Sequence, residues 1–291
     1  MSYVWSAGGD LAAARRQLVG GGSSTDAFLA GGQESGTTIA TTTEYNGSSW
    51  SAGGDLPAGR WAGSGGGSST DALYTGGVNS TWKAETYQYN GTSWSTTNNL
   101  GTARSNMAGG GSSADGIVTM GSNGTLLNST EEYNGTSWGA GGNSGYSYQY
   151  VMGGGSSTDA IWAGGVNAAW NTIYSDCQEY NGTSWGAGGS IGTGRYGIVG
   201  GGSSTNAITA GGKSSAKTEK ITETYNGTSW ASGANLATER HAGGGGGSST
   251  SAFVGGGVGT SADLASTEEY AEAISWIARG IGCGILEGVF E

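Results

Sequence analysis

Residues 89–113, YNGTSWSTTNNLGTARSNMAGGGSS, hold in one run the two phrases that decide the fold. One is the Tyr-to-Trp block, the other a glycine triplet followed by Ser-Ser, and both return along the chain. The triplets begin at Gly20, Gly65, Gly109, Gly153, Gly200 and Gly245. The matching tryptophans are Trp5, Trp50, Trp94, Trp138, Trp185 and Trp230. Both series step by 45, 44, 44, 47 and 45 residues, and each tryptophan stands 15 residues before its triplet. A unit of this length made of short strands cannot bury its own faces and must stack on neighbours, as propeller blades do. The pattern predicts an all-β fold: a six-bladed β-propeller of four-stranded blades.

One unit translates into four strands. Leu18–Gly22, a small-residue run ending in the triplet, reads as the innermost strand, and Ser-Ser-Thr-Asp as a polar turn. Ala27–Ala30 is the second strand, Thr42–Tyr45 the third, and Ser49–Ala52 around Trp50 the fourth. Asn46-Gly47 signals a hairpin in which both turn residues accept positive φ, and it recurs at Asn90, Asn134, Asn181 and Asn226. Those asparagines also open Asn-x-Ser/Thr sequons, but their fixed place in a hairpin assigns them to turn chemistry.

Insertions fall between the second Gly-Gly and the tyrosine: 13 residues from Gly32 to Tyr45, 12 from Gly77 to Tyr89, 15 from Gly165 to Tyr180. Variable loops on one face of a rigid scaffold are where binding groups are presented. Trp82, Trp170 and Tyr174 stand in these loops, and Lys213–Lys220 carries three lysines. Such aromatics stack on sugar faces, anchor a protein interface, or pack within the loop.

The chain opens inside a unit, with Val4-Trp5-Ser6 as a fourth strand lacking its three partners. The last unit loses its Asn-Gly turn after the third strand, Ser266–Tyr270, and Ala271-Glu272 stand there instead. The N-terminal strand is therefore expected to complete the sixth blade, which removes an exposed edge. A rival fourth strand at Ile274-Ser275-Trp276 places its tryptophan one residue out of step. This closure divides the chain into a propeller, residues 1–271, and an apolar tail, residues 272–291. In the tail Trp276, Ile277, Ile281, Ile285, Leu286, Val289 and Phe290 form a candidate docking surface. It either packs across the ring or docks on another subunit. It is too short, charged and glycine-interrupted for a membrane span.

Composition narrows the function. A formal charge of −11 with 11 Lys and Arg excludes broad nucleic-acid binding. Cys177 and Cys283 make no disulfide framework, and one histidine, His241, builds no metal centre. The first ten residues, MSYVWSAGGD, have neither the basic region nor the apolar run of a secretion signal. Single aspartates in the first hairpin (Asp26, Asp71, Asp159), replaced elsewhere by Asn206 and Ser251, suit turns better than calcium. No metal and no cofactor are expected.

An arginine, a small-residue strand, a Gly-Gly pair, then a Tyr and a Trp split by a turn: this order resembles the Kelch-repeat family of β-propellers. It covers nearly the whole chain, with Met120-Gly121 departing from the second Gly-Gly. The YNGTSW and GGGSST wording also resembles kelch-like proteins of bacteriophages and marine environmental sequences. Arg15, Arg60, Arg104, Arg195 and Arg240 occupy one position five residues before the triplet, and Tyr148 takes it in the remaining unit. The Kelch resemblance implies that these arginines line the channel mouth and contact carboxylate or phosphate, to which guanidinium forks are suited. The residues themselves leave open bonding to carbonyls or to Glu44, Glu132, Glu179 or Glu269.

Enzyme activity is not expected. A copper site of the galactose-oxidase kind lacks its histidines, and Ser113-Ala114-Asp115-Gly116 matches the sialidase SxDxGxxW turn only in part. The leading expectation is a non-enzymatic structural and binding module of a virion: a phage fibre, decoration or adhesion protein, joined to its assembly partners by the tail. The alternative is a lectin-like ring that takes a host-surface glycan or acidic peptide on the loop face. A sialidase-like glycosidase stands third.

Overall fold

In the computed structural model, which describes residues 2–273, six four-stranded antiparallel sheets surround one axis. The first blade comprises Val19–Gly22, Ala27–Ala30, Thr42–Tyr45 and Trp50–Ala52, close to the expected strands. The inner strands of the next five are Ser64–Gly67, Ala108–Gly111, Met152–Gly155, Val199–Ser203 and Gly244–Gly247. Each lies beside the next, and the sixth abuts the first. Burial follows from this stacking. All four residues of Ala27–Ala30 are buried, because a second strand has a neighbouring blade over each face. In the outer strand Trp50–Ala52 only the tryptophan is half-buried.

The ring closes through the N-terminus. Tyr3–Ala7 pairs antiparallel with Thr267–Glu272, setting Trp5 opposite Tyr270. Ala271 and Glu272 form no turn; they continue the strand opposite Val4 and Tyr3, since the partner arrives from the other end of the chain. The Ala273 amide then donates to the Ser2 carbonyl at 2.8 Å. The rival strand at 274–276 and the tail residues Trp276, Ile277, Ile281, Ile285, Leu286, Val289 and Phe290 lie outside the described residues.

The Asn-Gly signal marks the hairpin but not by the expected geometry. Tyr45 pairs with Trp50, so the loop has four residues, and of Asn46 and Gly47 only the glycine takes positive φ, at 88°. Asn46 works through its side chain, whose Oδ1 accepts the Ser48 and Ser49 amides at 3.0 Å.

Three recurring kinds of hydrogen bond stitch neighbouring blades together. The blade tryptophan donates its indole N–H to a threonine of the preceding blade: Trp5 to Thr222, Trp50 to Thr267, Trp94 to Thr42, Trp138 to Thr86 and Trp185 to Thr130, at 2.8–2.9 Å. The hydroxyls of Tyr45, Tyr89, Tyr180 and Tyr225 donate to Glu269, Glu44, Glu132 and Glu179 of the preceding blade. Burial and that carboxylate push the phenols of Tyr45, Tyr89 and Tyr225 up to about 12. Asp26, Asp71, Asp115 and Asp159 accept an amide from the next blade's turn, at Ser69, Ser113, Ser157 and Ser204, within 2.8–3.0 Å. For Asp26, Asp71 and Asp159 this inter-blade bond is a use beyond the turn role expected of them.

The tryptophan series breaks once. Where five blades present threonine, the fourth has Cys177, and the Trp230 indole N–H meets only its thiol, without a hydrogen bond of ordinary geometry. A thiol is a weak acceptor, and burial raises the pKa of Cys177 to about 12, keeping it protonated. Cys177→Thr supplies a stronger acceptor and is expected to stabilise the ring by about 1 kcal/mol. Thermal unfolding checks this: the midpoint should rise by roughly 2–4 °C, and a lowered midpoint would refute the stitch.

Candidate functional site at the channel mouth

The five repeated arginines do not line the channel. Arg15, Arg60, Arg104, Arg195 and Arg240 are at most 3% exposed, and each runs outward beneath its own blade toward the third strand. Arg104 donates to the Met120 and Ser129 carbonyls at 3.2 and 2.8 Å and to Glu131 Oε1 at 2.8 Å. Arg240 repeats this with Gly256, Ser266 and Glu268, and Arg195 pairs with Glu223 at 2.5 Å. Arg60 lies over the Tyr87 ring and 3.2 Å from Glu85, while Arg15 donates to Thr43 Oγ1 at 2.9 Å. Burial lowers the pKa of Arg104, Arg195 and Arg240, and the paired carboxylate opposes the shift. The partners of Arg104 and Arg240, Glu131 and Glu268, stand one residue before the expected Glu132 and Glu269, while the expected Glu44, Glu132, Glu179 and Glu269 accept from tyrosines instead. In the fourth blade Tyr148 fills the slot, donating to Asp176 at 3.0 Å and stacking on Tyr174 at 3.9 Å. Both tyrosines belong to that blade's packing.

The mouth is built from the two residues after each arginine. Gln17, Ala62, Asn106, Tyr150, Gly197 and Ala242 all have φ between 53° and 59°. Each amide donates to the same position of the preceding blade at 2.6–3.0 Å, and the sixth bond returns to the first. This closed belt holds five non-glycine residues in a region L side chains seldom occupy. Gln17 and Tyr150 belong to opposite blades, and Gln17 Nε2 donates to the Tyr150 hydroxyl at 3.1 Å. The phenol therefore lies across the channel and gives the mouth a floor. Below it come apolar residues such as Leu18, Met107 and Ile198, and then a passage lined by glycine alone.

Above that floor lies a hollow of about 350 Å³, lined by Tyr150, Trp170, Tyr196, His241, Arg16 and Gln17 among others. Trp170 is 50% exposed and carries a φ of 59°. Its loop is fixed by Asn167, whose side chain bonds Asn171 Oδ1 at 2.8 Å and the amides of Asn171 and Thr172 at 3.2 and 3.3 Å. The indole meets Tyr150 and Tyr196 edge-on, at 5.1 and 5.5 Å. Burial first, then Lys213, pulls the His241 imidazole below its ordinary pKa, so it is neutral at pH 7. Trp82, 45% exposed, rests against Gly124 of the neighbouring loop and does not line this hollow. Of the aromatics expected as contacts, the structure brings only Trp170 to the mouth.

Arg16, Tyr196 and His241 were not among the contacts expected from sequence. A signal was present: the position after the arginine reads Arg16, Trp61, Ser105, Gln149, Tyr196 and His241, different in every unit of an otherwise repetitive chain.

The fold and its loop-face mouth define a six-bladed β-propeller. No family model and no curated protein matches the chain. Among solved structures it is similar to one titled "Structure of YjhT", over 89% of this chain and 95% of that one, with TM-score 0.74 and 13% identity. That likeness bears on the fold.

Proposed function

We propose that this kelch-like ring is a non-enzymatic recognition module that binds a carbohydrate at the channel mouth. The observation that carries the reading is Trp170, half exposed yet locked with a left-handed backbone beside Tyr150, itself left-handed. Strained, exposed aromatics are stable only where the surroundings fix them, and such conformations cluster at ligand sites. Aromatic faces beside amide, imidazole and guanidinium donors suit a sugar, which has apolar ring faces and a rim of hydroxyls. A glycan array tests it. Trp170→Ala is expected to weaken the best binder by on the order of tenfold with the melting temperature unchanged. No bound glycan, or a silent Trp170→Ala, refutes the reading.

We further propose that the ring is carried on a virion, attached through the residues after Ala273. The supporting observation is that strand pairing completes the sixth blade within residues 2–273. A chain ending at Ala273 should melt like the full chain but fail to join its particle; retained incorporation refutes the attachment.

A further inference from the structure

We infer that the mouth takes a glycan of two or more sugar units, with an anionic group on the unit lying beyond Trp170; this rests on the carbohydrate reading above. A second hollow, of about 660 Å³, adjoins the first between the loops of the fourth and fifth blades. The two share Trp170 and Tyr196, so the exposed indole is a ridge with a space on either side. Each space alone exceeds the roughly 300 Å³ at which small-ligand pockets begin.

The two hollows differ in charge. In the inner one Arg16 is already committed, to Asp263 at 3.4 Å and Gln33 at 3.3 Å, and His241 is neutral. The outer one contains Lys213, which has no ion pair among the described residues. Lys217 and Lys220 of the same loop sit 3.8 and 3.6 Å from Glu219 and Glu239. Glu219, on the same wall, is met by the Lys217 ammonium at one oxygen and accepts Ser214 Oγ at 2.8 Å with the other. An uncommitted ammonium beside an aromatic ridge, on a chain of formal charge −11, is a local anion handle. A sugar seated in the inner hollow would pass the indole and bring its next unit against that handle.

The test compares array glycans of one to six units, neutral and uronate- or sulfate-bearing, followed by titration of the best acidic oligosaccharide and its terminal monosaccharide. The acidic oligosaccharide is expected to bind at least tenfold tighter than the monosaccharide. At about pH 8, where the His241 imidazole is neutral with or without Lys213, Lys213→Ala should remove most of that gain and its salt dependence while leaving monosaccharide binding intact, and Lys213→Arg should keep it. If Lys213→Ala fails to fold, Ser215→Trp fills the outer hollow and should have the same selective effect. Monosaccharides binding as tightly as oligosaccharides, or neutral chains as tightly as acidic ones, overturn this inference and leave the carbohydrate reading standing. Absence of any bound glycan overturns both.

Discussion

Gly153→Ala is expected to destabilise the ring by roughly 3 kcal/mol or more, the upper end of overpacking costs, and to lower its melting temperature by about 10 °C. A Cβ built there falls 2.2 Å from the Gly109 amide nitrogen of the adjoining inner strand and 2.9 Å from the Ala108 Cα and carbonyl carbon. The obstruction is backbone, so no rotamer change relieves it; two blades must part, and a closed ring passes that displacement to the rest. The same approach recurs around the axis, with a Cβ on Gly20 falling 2.6 Å from the Gly245 nitrogen and one on Gly110 2.7 Å from the Gly155 carbonyl oxygen. The triplet is thus the condition for drawing six inner strands around so narrow a channel. Gly139→Ala is the matched control: nothing lies within 4 Å of its Cβ, and removing backbone freedom there should be neutral or slightly stabilising. Equal melting temperatures for the two variants would contradict the inner-strand packing.

The repeat phase made the ring legible because period, strand and turn signals all agree in each unit. Closure was legible from Trp5, which needs three partner strands that only the far end of the chain can supply. The site was less so, for three physical reasons. Sequence position places an arginine near the mouth but does not say which way a long side chain turns, and Arg104 turns outward to the Met120 and Ser129 carbonyls, the Ser129 hydroxyl and Glu131. Adjacent strand residues face opposite ways, so a step of one residue changes the partner. Glu131 faces its own blade and takes Arg104, while Glu132 faces the next blade and takes the Tyr180 hydroxyl. The left-handed belt is invisible because Gln17, Ala62, Tyr150 and Ala242 carry no turn signal; six mutual hydrogen bonds hold them, and these exist only in the closed ring.

Arg104→Ala is expected to cost about 3–5 kcal/mol, the usual loss when one member of a buried ion pair is removed. The guanidinium is fully buried and Glu131 is 11% exposed, so the carboxylate left behind has little water to turn to. The carbonyls of Met120 and Ser129 lose their donor in the same step. Glu131 also accepts the Gly101 amide at 2.6 Å and the Thr102 amide at 3.3 Å, so the pair fixes the connector that leads into the third blade's inner strand. Glu131→Gln leaves one acceptor oxygen for two amides that bond different oxygens and turns an NH2 toward the other donor, so it should destabilise as well. Arg104→Lys should rescue little, because one ammonium cannot span two carbonyls, a hydroxyl and a carboxylate. The fourth blade fills the slot without an arginine, but only by changing several groups together: Tyr148 bonds Asp176, stacks on Tyr174, and leaves the connector's Gly145 amide to Gln178 at 3.2 Å. Arg104→Tyr alone should therefore fail as well. Urea unfolding and glycan titration of the folded fraction separate the two roles open to this arginine. A clamp lowers the unfolding midpoint and leaves affinity unchanged. Lost affinity with intact stability would make Arg104 a ligand contact and overturn its buried placement.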